Sequence, residues 1–236
     1  MVPVFNESEN LPELVERVER SLSHVSFELV IVDDNSPDGT AIVAEELNTE
    51  YGNLKILKRP IKLGLSSAVI DGFNEAATKT QIFAVMDADM QHPPELLAEM
   101  IEKIIEGADL TIASRYTSGG STKGLCLYRK ILSRAATALA HLLLPETRNV
   151  KDVLSGFFMV KRKVIGGAKL DPIGYKILLE ILVKGNYSKV CEVPYVFETR
   201  KNGKSNLSLE EILKFAIHIH RLLRIRRARK KELSIF

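Results

Sequence analysis

The 236-residue sequence predicts an α/β protein with a doubly wound, mostly parallel sheet. Three observations predict it. Apolar runs of strand length recur at 27–32, 54–57, 82–86 and 110–113. They alternate with stretches whose apolar residues keep helical spacing. The run at 82–86 is apolar at consecutive positions, as a strand covered on both faces requires. With no internal repeats and no low-complexity linkers, a chain of this length is expected to form a single globular unit around one sizeable core.

Leu11, Leu14, Val15, Val18 and Leu22 define a first helix, and Asn10 with Glu13 has the form of a capping box. The strand at 27–32 ends in Asp33-Asp34, followed by the turn chemistry of Ser36-Pro37-Asp38-Gly39. Residues 40–50 suit a helix, 54–57 a short strand, and 65–77 a helix opened by Gly64. A strand at 82–86, a helix at 94–106 and a strand at 110–113 follow. After Arg115 the alternation weakens, and 117–121 reads as a loop. Residues 128–144 form an amphipathic helix with Arg129, Lys130 and Arg134 near its start, and extended segments at 155–160 and 190–197 flank 175–184. Ser208 and Glu211 repeat the capping box before an apolar face of Ile212, Phe215, Ala216, Ile219, Leu222 and Leu223, paired with a basic one. One element is expected to be missing. Pro3 follows Met1-Val2 directly, leaving almost no room for the strand that opens such a domain. Loss of an interior strand strips ladder partners from both neighbours, so the native chain is expected to start upstream or the given form to be less stable.

The net charge of +3 is mild, but Arg221, Arg224, Arg226, Arg227, Arg229, Lys230 and Lys231 crowd the end, where they favour anionic partners. Without interleaved aromatics or a nucleic-acid motif, no nucleic-acid partner is expected. Cys126 and Cys191 lack metal or redox spacing and read as thiols in a reducing compartment. The most apolar stretch, 135–144, falls short of the roughly 18 residues that span a bilayer, and no secretory leader is visible, so any membrane encounter is expected to be peripheral.

Asp87-Ala88-Asp89 stands where the apolar run 82–86 stops, at the carboxyl end of a buried strand, where open α/β sheets bind ligands. Two carboxylates this close repel each other in a crevice and call for a cation. Mg²⁺ or Mn²⁺ held by few protein oxygens keeps positions open for phosphate. For an isolated pair, a solvated turn is the plain alternative.

The pair is not isolated. Pro3-Val4-Phe5-Asn6-Glu7, Val32-Asp33-Asp34-Asn35-Ser36-Pro37-Asp38-Gly39-Thr40 and Gln91-His92-Pro93-Pro94-Glu95 accompany it, and together they resemble the inverting GT-A glycosyltransferases of family 2. Ser114-Arg115-Tyr116, Tyr128-Arg129-Lys130, Ser155-Gly156-Phe157-Phe158, Gly174-Tyr175-Lys176 and Val193-Pro194 through Arg200 and Gly203 narrow the likeness to the dolichol-phosphate mannose synthases, over Pro3 to about Leu223. The resemblance implies a Rossmann-like GT-A fold with amphipathic helices on the acceptor side. It divides the chain into a nucleotide-sugar half at about 3–116, an acceptor half at about 117–207, and a C-terminal helix with a basic tail at 208–236. The implied activity is inverting transfer of mannose from GDP-mannose to dolichyl or another polyprenyl phosphate. A UDP-glucose donor and a non-catalytic nucleotide-sugar or membrane-binding subunit are the alternatives.

By the same resemblance, Pro3, Phe5 and Glu7 contact the donor, Val32 and Asp34 hold the nucleoside, and Asp87 and Ala88 touch substrate. Asp87, Asp89 and Gln91 bind the metal, and Asp89 and Arg115 are catalytic. Arg129, Ser133 and Arg200 meet the acceptor phosphate, and Lys176 and Asn206 lie in matching segments. A phosphate monoester, with its second pKa near roughly 6, is already largely ionised, so no dedicated general base is expected. Gly203-Lys204-Ser205-Asn206-Leu207 departs from the family's Gly-Glu-Ser-Lys-Leu, moving the cation two places. The helix at 128–144 is expected to lie at a bilayer surface, and the helix at 208–229 to pack on the core with its basic tail free to touch lipid, at the cytoplasmic face of a membrane and with room for a membrane-anchoring partner.

Overall fold

The computed structural model describes residues 1–198 and 209–233. Its strands are β1 (Val2–Val4), β2 (Leu29–Asp33), β3 (Leu54–Lys58), β4 (Ile82–Val85), β5 (Leu110–Ser114), β6 (Phe158–Lys161) and β7 (Val190–Pro194). Its helices are α1 (Leu11–Ser21), α2 (Thr40–Tyr51), α3 (Leu65–Glu75), α4 (Leu96–Ile105), α5 (Leu127–Leu143), the short α6 (Arg162–Ile165), α7 (Ile177–Lys184) and α8 (Leu209–Leu233). Strands β1, β2 and β3 pair in parallel, and β4-β6-β5-β7 form the second ladder, in which only β6 runs antiparallel to its neighbours.

The opening strand expected to be absent is present. The Met1 amine donates to the Ala84 carbonyl at 2.9 Å and the Met86 N–H donates to the Met1 carbonyl at 3.2 Å, so β1 bridges the two ladders into the order β3-β2-β1-β4-β6-β5-β7. Because main-chain groups alternate sides along a strand, Met1 facing β4 turns Val2 and Val4 toward β2. The N–H that Pro3 lacks then falls on the β4 side, where β4 itself ends. Proline is tolerated here because it forfeits a single ladder bond at a strand terminus.

Alternation along the strands divides the core between the two faces of the sheet. Val2, Val4, Ile31, Met86, Met159 and Phe157 pack with α1, α2 and α4, whereas Phe83, Val85, Leu110, Ile112, Phe158 and Val160 pack with α3, α5, α7 and α8. Phe157 and Phe158 are both fully buried on opposite faces. Each such side chain contributes about 1.5–3 kcal/mol by leaving water. The doubly wound, mostly parallel architecture is therefore as expected.

Two helix details differ from expectation. Asn10 does not cap α1 through its side chain; its Nδ2 donates to Glu7 Oε2 at 2.6 Å, and Pro12 supplies the preset first turn. On α8, Ile219 and Leu222 are buried as expected, but Ala216 is exposed and His218 is fully buried. The imidazole meets Glu180 on α7 at 3.1 Å, and Lys184 closes on the same carboxylate. This polar group, shut inside the α7–α8 contact, outweighs apolar spacing in setting the rotation of the helix.

Candidate active site

The order in which strands are added reverses between β1 and β4, and the carboxyl ends of β1, β2 and β4 open side by side there. Each is followed by a residue in the left-handed region: Asn6 (φ 59°), Asn35 (φ 65°) and Met90 (φ 62°). Asparagine tolerates this conformation, but Met90 is strained, and such strain collects at sites that must aim side chains.

At the β1 end, Pro3 is buried in register with Val32, and Phe5 carries Lys62 Nζ 3.3 Å from its ring centroid. Glu7 is buried, and its N–H donates to Thr40 Oγ1 at 3.0 Å. The Val32 side chain packs against Ala68 and Leu57, so only its main chain can meet a ligand.

Asp34 is closed off in this structure. Arg59 Nη1 donates to it at 2.8 Å, the Leu63 N–H at 2.9 Å and the Gly64 N–H at 2.8 Å. Asp34 and Arg59 side chains are 6% and 4% exposed. In this arrangement the carboxylate holds the loop between β3 and α3, and protein donors satisfy the buried charge, as burial demands.

The β4 end is different. The Asp87 side chain is 34% exposed. Its N–H donates to His92 Nδ1 at 3.0 Å, so the proton of the neutral ring sits on Nε2. Burial, opposed by Asp89, lowers the His92 pKa to about 4. The ring stacks on Phe157 at 5.3 Å and meets Tyr195 edge-on at 6.0 Å. Gly156 completes the wall: a Cβ there would lie 3.1 Å from Asp87 Oδ2 and 3.2 Å from His92 Cε1. Ala88 is buried in the core between the acids. Asp89 Oδ1 accepts the Gln91 N–H at 3.1 Å, and Gln91 Nε2 donates to the Glu198 carbonyl at 2.9 Å.

Cations surround this end. Lys176 Nζ donates to the Leu154 carbonyl at 3.0 Å and lies 4.1 Å from the Tyr175 ring centroid. Burial, then the charge of Arg115, lower its pKa to about 8, while Asp87 opposes the shift. Arg115 does not present its fork to the crevice. Nε and Nη2 bind Asp152 at 2.8 and 2.7 Å, and the Arg115 N–H joins them at 2.9 Å. Burial alone would lower the guanidinium pKa, but Asp152 raises it, so Arg115 stays charged. Its charge is felt in the crevice, where it opposes protonation of His92 and Lys176.

Ser133 Oγ accepts the Tyr116 hydroxyl at 2.9 Å, and Arg129 lies near enough to Tyr175 to oppose the rise in its pKa caused chiefly by burial. Arg200, Asn206 and the variant stretch 203–207 lie outside the described residues, as does Ser208. Asp152, Glu192, His92 and Tyr195 were not anticipated in the site. An acid directly before Val153 and Leu154 was the available signal for Asp152, since such a group, if buried, needs a cation. Glu192 accepts the N–H groups of Lys151 and Asp152 at 2.9 and 3.0 Å and so fixes Asp152 from behind.

The profile of Glycosyl transferase family 2 matches residues 1–166. The chain belongs to that family. Among relatives of family 2 named dolichol-phosphate mannosyltransferase, one from Pyrococcus furiosus is 46% identical over 224 residues, covering 95% of this chain and 63% of the relative. Those from Mycosarcoma maydis and Saccharomyces cerevisiae are 35% and 34% identical, covering 96% and 91% of this chain and 79% and 82% of theirs. The chain therefore spans less than two thirds of the archaeal relative. Glucosyl-3-phosphoglycerate synthase from Mycobacterium tuberculosis, solved with Mn²⁺, UDP-glucose and phosphoglyceric acid, superposes with a TM-score of 0.66 at 19% identity, covering 95% of this chain and 77% of that one. The fold is thus the GT-A fold of family 2.

The donor set at the β4 end fits a small divalent cation. Asp87 and Asp89 supply carboxylate oxygens, Gln91 an amide oxygen, and Gly156 leaves the Asp87 flank open. Among the described residues no cluster of three or more Asp, Glu, His or Cys could hold a metal; two acids and an amide are what the β4 end offers a cation. So few protein ligands suit an ion that keeps other positions for phosphate oxygens.

Proposed function

We propose that this chain transfers mannose from GDP-mannose to dolichyl or another polyprenyl phosphate with inversion at the anomeric carbon. The observation that carries the proposal is the partly exposed Asp87/Asp89 pair at the sheet's switch point, within electrostatic reach of the half-buried cations Lys176 and Arg115. Acids for a cation on one side and fixed positive charge on the other are what two anionic substrates need to meet. The names borne by the relatives from three organisms support the same reading.

Asp87, Asp89 and Gln91 would hold Mg²⁺ or Mn²⁺, which when bound offsets charge on the departing diphosphate. Phe5 and Glu7 lie at the neighbouring strand end, placed to border the nucleoside. Lys176 attracts the acceptor phosphate, and Arg129 and Ser133 on the crevice-facing side of α5 orient it. An ionised lipid phosphate oxygen attacks the anomeric carbon as the bond to the GDP oxygen breaks, with no proton to remove. Leu127, Tyr128, Ile131, Leu139 and Leu142 of α5 stay exposed on one face, which suits a helix lying against lipid. Among the described residues no helix is long and apolar enough to cross a membrane. The acceptor would then enter from a bilayer surface, at the cytoplasmic face.

Transfer of radiolabelled mannose from GDP-mannose to a short polyprenyl phosphate, with and without divalent metal, tests the proposal. Metal-dependent β-linked product is expected. Retained stereochemistry, or product only from UDP-glucose, would overturn it.

A further inference from the structure

Helix α5 presents three faces. Arg129, Ser133 and Ala140 point inward, and the exposed apolar stripe points outward. Between them Arg134, Thr137, Ala138 and His141, spaced three, four and seven positions along the helix, form a flank. With Tyr116 and Lys151 this flank encloses a cleft of about 180 Å³.

Two cationic residues, Arg134 and Lys151, border the cleft, whose wall is otherwise mostly apolar, and no carboxylate lines it. Among the described residues neither the Arg134 nor the Lys151 side chain has an ion-pair partner. The carboxylates that adjoin Lys151 are already engaged: Glu192 by two main-chain N–H groups, and Asp152 by the Arg115 fork. Thr137 is buried with its hydroxyl lacking a hydrogen-bond partner, an unusual state for a polar group out of water. His141 bonds the Val150 carbonyl through Nε2 at 2.9 Å, which fixes its ring in the wall and turns Nδ1 to other use. The Tyr116 hydroxyl is held by Ser133 at 2.9 Å.

We propose that this cleft is a phosphate-ester site, separate from the crevice at the β4 end. Its chemistry is that of a tetrahedral oxyanion held between a guanidinium and an ammonium. The position of the cleft, beside an exposed apolar stripe, suits the phosphodiester headgroup of a bilayer lipid whose chains run along that stripe. Free phosphate shares the same chemistry. Occupancy needs no sugar donor, so it is read independently of transfer.

The test uses the full chain in two arms. In the first, inorganic phosphate is titrated while the His141 imidazole signals are followed by NMR. In the second, flotation is measured with phosphatidylcholine vesicles with and without phosphatidylglycerol. The paired variant Arg134→Ala, Lys151→Ala removes both exposed cations, and Lys55→Ala, Lys58→Ala removes two charges elsewhere. The paired cleft variant is expected to lose the saturable His141 shift, and its flotation with anionic vesicles should fall about tenfold or more, whereas the remote pair changes neither. A His141 shift with unchanged flotation assigns the site to free phosphate, and reduced flotation without a phosphate shift assigns it to the lipid headgroup. If neither signal depends on Arg134 and Lys151, or the remote pair lowers flotation equally, the proposal is overturned.

Discussion

The acid pairs at the ends of β2 and β4 look alike in the sequence and have opposite fates. Asp33 and Asp34 are buried; Ser36 satisfies the first, and Arg59, Leu63 and Gly64 satisfy the second. Asp87 keeps a third of its side chain exposed, and the groups packed near it leave space: a neutral imidazole and a glycine. A carboxylate shut from solvent by protein donors organises a loop, whereas one that keeps a solvent-facing edge can be reached by a cation. The difference lies in what packs behind the acid.

The comparison breaks most sharply at Asp89. Asp89→Ala should cut transfer about 10³-fold, read as initial rates at saturating donor, while leaving thermal stability near the parent value. A comparable loss of stability would place Asp89 with the buried pair. Asp34→Ala should do the reverse and destabilise the fold by about 3–5 kcal/mol in urea unfolding, because Arg59 is left charged and buried. Unchanged stability with lost donor affinity would instead make Asp34 a ligand.

Lys176 sharpens the contrast through pH. Its pKa is lowered from 10.5 to about 8, so between those values the unfolded chain holds the extra proton and this group's contribution to stability rises with pH. Its charge toward an anionic acceptor is lost over the same climb. The acceptor KM should therefore rise several-fold through about pH 8, and Lys176→Arg should flatten that profile. The smallest effect is expected from Gly156→Ala. Its new Cβ crowds Asp87 and His92 by a few tenths of an ångström, and a metal titration should show affinity lowered a few-fold, with about 1 kcal/mol of stability lost.

Local signals made the frame legible. Apolar runs four to six residues long gave β2 through β5, and the end of one run gave the β4 carboxylates their place. The partners that decide a residue's role lie far along the chain. Arg59 is 25 positions from Asp34, and Asp152 is 37 from Arg115, so neither pairing has a local period to betray it. The first strand was hidden for a different reason. Strand propensity counts Pro3 as a breaker, but its missing donor falls where the neighbouring ladder has already ended. At Asn10 the capping pattern was genuine in sequence, and the competing acceptor on Glu7 took the side chain.

Gln91 has one amide with two unlike ends. Its nitrogen end is held by the Glu198 carbonyl, just before residues 199–208, and the oxygen end is the one a cation would use. A single rotamer satisfies both, so each interaction lowers the entropic cost of the other. By thermodynamic reciprocity, filling the cation position and docking Glu198 onto the β4 turn become linked equilibria, and the affinity gained by one is returned in equal measure to the other. A cation on the oxygen end of Gln91 would thereby make metal arrival and the seating of Glu198 two readings of one free energy.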